Sequence, residues 1–160
     1  MPSLAWERLG DYLHETQLLG SVQNTLYWDQ NTMMPLEGAA WRGEQLTLLA
    51  RYLHARQTSP QLEDLIKEAK VELKQDKVSG DFDNQLLHER AKNIELLDRD
   101  LTREKRLDPE LVAKIATAKS HGYSLWQEAR FKSDFKSIEA RNSFFPSSPH
   151  IISCFRLLSL

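Results

Sequence analysis

Five histidines give this chain its most obvious candidates for metal-dependent hydrolysis. A zinc-hydrolase helix of the form His-Glu-x-x-His places two imidazoles one turn apart on one face, with the glutamate beside them to activate a metal-bound water. The His-Glu half of this pattern occurs at residues 14–15 and 88–89, but Leu18 and Lys92 stand where the second histidine is required. The sequence therefore predicts no metal ligand, no catalytic residue and no cofactor held by this chain.

Nucleophilic catalysis has equally little support in the sequence. Cys154 is the single cysteine, so the chain can form neither an internal disulfide nor a cysteine cluster for a metal. No Gly-x-Ser-x-Gly elbow and no glycine-rich phosphate loop are present. The carboxylates are numerous, but on helices they are mostly solvated faces.

Composition excludes several partners. The net charge is −2 and the pI is about 6.2, and no Lys/Arg stripe interleaves with aromatic residues, so we expect no nucleic-acid partner. No window approaches the roughly 18 apolar residues of a membrane span, so we expect no membrane partner. The start, MPSLAWERLGDYL, lacks the basic and apolar regions of a signal peptide, and a cytoplasmic location is predicted.

The stretch Tyr27–Gly38, YWDQNTMMPLEG, is the least ordinary part of the chain and is predicted to be a loop between two helices. Asp29 lies in this aromatic stretch rather than on a charged stripe. It is either a cap or turn carboxylate that accepts backbone N–H groups, or a contact to a ligand or partner chain. Trp28, Met33 and Met34 are predicted to anchor the core rather than to form a ligand surface.

The elements that would position these residues are helical. Apolar residues recur at steps of three and four, which predicts an all-α bundle of about five helices arranged as antiparallel hairpins. Helix starts are predicted at Ser59-Pro60, at Asp81 and at Asp108-Pro109, and the fifth helix is predicted to end near Phe135. The residues predicted to face the core include Leu9, Tyr12, Leu13, Leu46, Leu49, Tyr52, Leu53, Leu62, Leu65, Ile66, Ala69, Leu73, Phe82, Leu86, Leu87, Ile94, Leu97, Leu101, Leu111, Val112, Ile115 and Ala118.

The last part of the chain changes character. From about Ile138 the helical periodicity stops, serine becomes common and apolar residues have no polar face to offset them. We therefore predict a helical domain over residues 1–137 and a divergent, irregular tail over residues 138–160, either disordered or added to the bundle. A reading frame interrupted near residue 138 would produce such a tail.

Three segments carry a resemblance to a known family, the carboxypeptidase Taq family of zinc metallocarboxypeptidases. Their order and spacing agree with the N-terminal region of that family over roughly residues 5–137. The segments are Trp28-Asp29-Gln30 with Thr32-Met33-Met34-Pro35, Gly38-Ala39 and Arg42; Leu53-His54 with Thr58-Ser59-Pro60; and Leu111-Val112 with Trp126-Gln127-Glu128-Ala129-Arg130 and Ser133-Asp134-Phe135.

The resemblance implies a mainly helical fold, a groove over a metal site, and removal of C-terminal residues from peptides by a metal-activated water. It also implies zinc or another divalent metal for the full-length family, whose metal-binding helix lies far downstream in a longer chain. No catalytic or metal residue is carried over to this sequence. Two groups of matching residues are candidate structural or groove-lining positions: Trp28, Asp29, Gln30, Thr32, Met33, Met34, Pro35 and Arg42, and then Trp126, Glu128, Arg130 and Asp134.

Two functions follow as expectations. The first is an N-terminal helical fragment that resembles a metallocarboxypeptidase and is inactive alone, with a peptide substrate only in a full-length context. The second is a non-enzymatic helical interaction or dimerisation module. Because a missing catalytic body would leave apolar surface exposed, we expect a homo-oligomer, most simply a dimer.

Overall fold

A computed structural model describes residues 4–79 and 83–134 of the chain, and these residues are almost entirely helical. The described part contains no strand, so the predicted all-α fold is confirmed. Residues 4–79 and 83–134 form five α-helices and one short 3-10 turn (Leu36–Gly38). The helices are α1 (Leu4–Thr32), α2 (Ala39–Gln57), α3 (Pro60–Ser79), α4 (Asn84–Glu104) and α5 (Pro109–Lys132).

Helix starts follow the capping chemistry. The Ser59 hydroxyl accepts from the Leu62 N–H at 3.1 Å, and the Asp108 carboxylate accepts from the Glu110 N–H at 3.3 Å, as predicted. The cap of α4 differs from the prediction. It is Asp83, not Asp81, because the Asp83 carboxylate accepts from the Gln85 N–H at 3.2 Å.

The predicted loop over Tyr27–Gly38 is shorter than expected, because α1 continues to Thr32. Nothing between Tyr27 and Thr32 interrupts backbone pairing, since the first proline after Tyr27 is Pro35. The helix ends where the N–H groups of Met33 and Met34 both donate to the Asp29 carbonyl, each at 2.9 Å. Pro35 is extended, with φ −61° and ψ 147°, and the 3-10 turn leads into α2.

The main core lies between α1, α3 and α4. It is built mostly from the predicted apolar stripes, and α3 supplies half of it. Trp6, Leu13, Leu73 and Leu97 pack against it from the edge. The buried members are Leu9, Tyr12, Leu62, Leu65, Ile66, Ala69, Ile94 and Leu101.

Polar contacts along the helices show that the neighbours run antiparallel, as predicted. Between α3 and α4, Glu63 pairs with Lys105 near one end and Asp76 pairs with Arg90 at 3.5 Å near the other. Between α1 and α3, the Glu72 carboxylate accepts from the first N–H groups of α1, at 2.8 Å from Ala5. That carboxylate caps the positive end of α1 from a neighbouring helix.

Some positions predicted to face the core are exposed. Tyr52, Leu86 and Leu111 are exposed by 60%, 38% and 44% of their surface. In α5 the buried positions are occupied by small residues instead. These residues are Ala113, Ala116 and Ser120.

The chain divides into two compact units, residues 1–120 and 121–160, and the boundary falls within α5. In the described part of the second unit, α5 ends at Lys132 and Ser133 adopts φ 52°. Phe82, the predicted helix end near Phe135, Cys154 and the predicted tail 138–160 lie outside the described residues. Among the helices that are described, none is long and apolar enough to cross a membrane.

Candidate functional site

The residues of the first predicted group lie around the corner where α1 ends and α2 begins, and Asp29 and Arg42 contact each other across it. The central contact is an ion pair between Arg42 and Asp29, with Nη2 and Oδ2 2.5 Å apart. The same guanidinium donates from Nη1 to the Leu26 carbonyl at 2.5 Å and from Nε to Gln45 Oε1 at 3.0 Å. One side chain on α2 therefore ties together a carbonyl and a carboxylate of the last turns of α1.

Asp29 was expected either to accept backbone N–H groups or to contact a ligand or partner. Its carboxylate instead accepts from the Arg42 guanidinium, whose side chain is only 13% exposed. The backbone N–H groups at this corner go to the Asp29 carbonyl oxygen rather than to its carboxylate. The predicted cap role is therefore wrong, because a guanidinium reaches the carboxylate from the next helix.

Gln30 is the most deeply buried residue of the first group, with 2% of its surface exposed. Its Nε2 lies 3.3 Å from Ser120 Oγ and 3.4 Å from the Ser120 carbonyl on α5. Gly43 of α2 faces the same hydroxyl, and an added Cβ there would lie 3.5 Å from it. Gln30 thus joins α1 to α5 through a buried polar contact, and Gly43 of α2 lies close to the same serine.

The predicted core anchors are largely on the surface. Trp28 is 59% exposed and Met33 is 72% exposed, so the core prediction is wrong for both. Because α1 continues through Trp28, its helical phase turns the indole away from the face that buries Gln30. Met34 is half-buried and its side chain lies near Gly38. At Tyr27, which precedes Trp28 in the chain, burial raises the pKa of the hydroxyl.

The remaining residues of the first group, Thr32 and Pro35, affect only the backbone close to them. The Thr32 hydroxyl donates to the Trp28 carbonyl at 2.7 Å and so stays within its own helix. Pro35 is exposed and extended, and it separates the two helices by removing a donor and fixing φ.

The second predicted group lies in the second unit, on the last three turns of α5. Trp126 packs against Tyr123 with ring centroids 5.8 Å apart, and the Arg130 guanidinium lies 5.1 Å from the Trp126 ring. Glu128 accepts from Lys132 at 2.7 Å. The Asp134 N–H donates to the Ala129 carbonyl at 2.9 Å and closes the helix end. Trp126 of this group therefore belongs to a tilted aromatic pair, and Asp134 belongs to the C-terminal end of the helix.

The described residues do not fit a metal ion. They contain no group of three His, Cys, Asp or Glu side chains near one another. His14 and His88 are exposed, and the adjacent glutamates contact Arg56 and Gln85 instead. His54 is buried, with Nδ1 3.6 Å from Glu104 Oε2.

Comparison with known proteins assigns the chain to a family. Residues 8–143 match the model of the carboxypeptidase Taq (M32) metallopeptidase family. The chain belongs to this family. Thermostable carboxypeptidase 1 of Thermus thermophilus is 32% identical over 138 residues, which is 84% of this chain and 25% of that relative. No solved structure matches significantly.

The M32 match covers both predicted groups, and the chain spans about a quarter of the length of the curated relative that it matches. Sequence reasoning missed Ser120 and Gln45, which complete the contacts of Gln30 and Arg42. The signal for Ser120 was its place in a run of small residues at helical spacing with Ala113 and Ala116. Gln45 follows Arg42 by three residues, the spacing of neighbours on one helix face.

Proposed function

We propose that this M32 chain forms the N-terminal helical part of a metallocarboxypeptidase that removes C-terminal residues from peptides. The observation that carries the proposal is the extent of the match. It fills 84% of this chain but only 25% of thermostable carboxypeptidase 1. A helical part that serves a larger catalytic protein would give such a match, and the family match ends at residue 143, inside the segment 138–160 that is predicted to be a divergent tail.

The exposed apolar residues at the α1–α2 corner support this proposal. Trp28, Met33 and Leu36 expose 59%, 72% and 62% of their surfaces at adjacent points of the chain. Contiguous exposed apolar surface usually marks a contact with another body of protein. In the proposed function, this surface packs against the catalytic part of a carboxypeptidase, and Arg42 and Gln30 fix the corner that presents it.

The chain by itself is proposed to be without peptidase activity. The sequence contains no His-Glu-x-x-His pattern, which would supply two metal ligands and a general base from one helix. In this proposal the metal, zinc or another divalent ion, and the base come from the rest of a full-length protein.

An activity assay tests the proposal. The purified 160-residue chain would be incubated with unblocked peptides and Zn²⁺ or Co²⁺, and the released C-terminal amino acids would be quantified. Thermostable carboxypeptidase 1 is the positive control. We expect no release above a metal-only blank. Metal-dependent release that a chelator abolishes would overturn the claim that this chain is inactive alone.

A second experiment addresses the larger protein. Sequencing the gene through and beyond codon 138 and translating the three frames should reveal continued helical periodicity and a His-Glu-x-x-His pattern. If no frame contains that pattern, the alternative becomes the better proposal. That alternative is a non-enzymatic helical interaction module, and the exposed Trp28, Met33 and Leu36 are the observation in its favour.

A further inference from the structure

The connection between α4 and α5, residues 105–108, is basic and exposed. Lys105 and Arg106 are adjacent on the surface, and Leu107 beside them exposes 40% of its side chain. The two other connections that the structure fully describes, residues 33–35 and 58–59, contain no lysine or arginine. A basic side chain is what an endopeptidase with a carboxylate in its specificity pocket recognises. The α4–α5 connection therefore has the residue types that such an enzyme requires.

The backbone of this connection is held by short-range hydrogen bonds. The N–H groups of residues 105, 106 and 107 each donate to a carbonyl three or four residues earlier, at 3.0–3.1 Å. Among the described contacts, the ion pair of Lys105 with Glu63 is its one polar side-chain link to another helix, and both side chains are more than a third exposed. A segment bonded mainly to its own neighbours opens at low cost, because the packed core does not have to open with it.

The basic residues near this connection differ in how readily they can enter a protease pocket. Arg103 lies in the last turn of α4, where the backbone is helical. Lys105 is outside the helix but is paired with Glu63. Arg106 is also outside the helix, is exposed, and forms no ion pair with the described residues. The peptide bond that follows Arg106 is therefore the most accessible of the three.

We propose that the Arg106–Leu107 bond is a processing site at which an arginine-recognising endopeptidase separates α5 from the other helices. The reaction is a hydrolysis, so the C–N bond breaks and one water molecule is consumed. Arg106 gains a carboxylate and Leu107 gains an ammonium group. The products are residues 1–106, with helices α1 to α4, and residues 107–160. This inference uses only the α4–α5 connection and its neighbours, and it does not depend on the proposed function.

The main core lies entirely on one side of this bond. Its buried members and the residues packed on its edge all fall between Trp6 and Leu101. Cleavage after Arg106 therefore removes no side chain from the core. The 1–106 product should keep α1, α3 and α4 packed as they are in the intact chain.

Helix α5 is held to its neighbours by small and polar side chains. Thr117 lies 2.8 Å from Thr47 of α2, hydroxyl to hydroxyl, and Ser120 Oγ lies 3.3 Å from Gln30 Nε2 of α1. Ala113 is buried, but so short a side chain removes little apolar surface from water. After cleavage this docking loses the effective concentration that the continuous chain provides, so we expect α5 to dissociate at micromolar concentration. Its departure uncovers the side of α1 and α2 that carries Gln30 and Thr47.

Brief digestion of the full 160-residue chain with trypsin, followed by intact-mass spectrometry, tests the site. Cuts after residue 120 are scored separately, because they leave this bond intact. Among the other described lysines and arginines, we expect the cut after Arg106 first, at least about tenfold faster than at any helical residue, because a helix must open before a protease binds it. Lys77, exposed in the last turn of α3, is the internal comparison. An earlier cut at Lys77 or within another helix would overturn the inference.

Two matched variants assign the bond. Arg106→Gln should abolish the 1–106 product, and the remaining cut after Lys105 should be about threefold slower, because Lys105 must first leave Glu63. Arg103→Gln removes the same charge from an exposed position three residues earlier, and it should leave the rate after Arg106 unchanged. Cleavage of this connection that is as fast in Arg106→Gln as in the wild type, or that slows equally in Arg103→Gln, would contradict the assignment.

A core variant distinguishes local opening from global unfolding. Ile66 is 1% exposed in the main core, so Ile66→Ala should raise the globally unfolded fraction more than about thirtyfold. If the connection opens locally, this variant should change the rate of cleavage after Arg106 by less than about threefold. A rate that rises with the unfolded fraction would overturn the inference. Size-exclusion chromatography of the cleaved chain tests the release, since residues 1–106 should elute as a helical species without α5, and co-elution of the two products would contradict it.

Discussion

At the scale of single residues, Arg42 is the side chain on which the α1–α2 corner depends. Its three donor nitrogens serve the Leu26 carbonyl, the Asp29 carboxylate and the Gln45 amide oxygen at once. The planar guanidinium provides those donors in a fixed fork, whereas an ammonium group is a single point charge. The Arg42 side chain is only 13% exposed, whereas the Asp29 side chain that pairs with it is 35% exposed.

Replacement of Arg42 should therefore destabilise the fold. We expect Arg42→Met to lower the free energy of unfolding by about 1–3 kcal/mol, because it leaves a carboxylate and a carbonyl without their donor. Arg42→Lys should retain part of that stability, since one contact can still form.

Urea denaturation followed by circular dichroism measures the effect. Arg103→Met on α4 is the control, because Arg103 is exposed and substitution there should change stability by no more than about 0.5 kcal/mol. Equal losses for the Arg42 and Arg103 variants would show that the corner contact contributes nothing specific.

Residue types alone predicted two of the three helix caps, but not the partners at the α1–α2 corner. Ser59 and Asp108 cap as expected, because a cap bonds to backbone only two or three residues away. The partners of Asp29 and Gln30 lie 13 and 90 residues away. Such contacts depend on how helices pack, which local spacing does not encode. Trp28 and Met33 were misplaced for the same reason, since their burial depends on where α1 ends.

At the scale of elements, the end of α5 carries a measurable strain. The Ser133 N–H donates to the Arg130 carbonyl at 3.2 Å and the Asp134 N–H donates to the Ala129 carbonyl at 2.9 Å. This pair of bonds is a Schellman motif, in which the residue after the helix adopts a left-handed conformation. That residue is usually glycine, but here it is Ser133 with φ 52°.

Ser133→Gly should stabilise this helix end by about 0.5–1 kcal/mol, because glycine pays no Cβ penalty at positive φ. We expect amides in the last turn of α5 to exchange about two- to fivefold more slowly, as measured by hydrogen exchange. Ser133→Ala is the control, since it removes the hydroxyl and keeps the Cβ. Faster exchange in the glycine variant would contradict the assigned motif.

The elements also show where helical periodicity predicts burial and where it does not. On α3 the predicted residues Leu62, Leu65 and Ile66 are buried, because α1 and α4 both pack on that stripe. On α5 the predicted Leu111 is exposed while Ala113 and Ala116 are buried. Large apolar residues mark a buried face only when the neighbouring helix leaves room for them. On α5 the buried positions belong to small residues, which a search for large apolar residues overlooks.

At the scale of the whole molecule, the core and the exposed apolar surfaces are separate. The main core draws on α1, α3 and α4 and is closed by their own side chains. The exposed residues of α2 and of the α1–α2 corner belong to none of that packing. The match to a quarter of an M32 relative is consistent with this arrangement, because a part with its own core can present other surfaces for association.

A core that joins three helices should unfold as one unit. Ile66 of α3 is 1% exposed at the centre of that core, so Ile66→Ala should lower the free energy of unfolding by about 2–5 kcal/mol. Val71→Ala on the same helix is the matched control. Val71 is 56% exposed, and its truncation should change stability by no more than about 0.5 kcal/mol. Urea midpoints give both values.

Because α1 and α4 pack on the same cluster, their slowest amides should lose protection to the same extent as those of α3. If α1 and α4 kept their protection while α3 lost it, the helices would be stabilised independently and the core would not be cooperative.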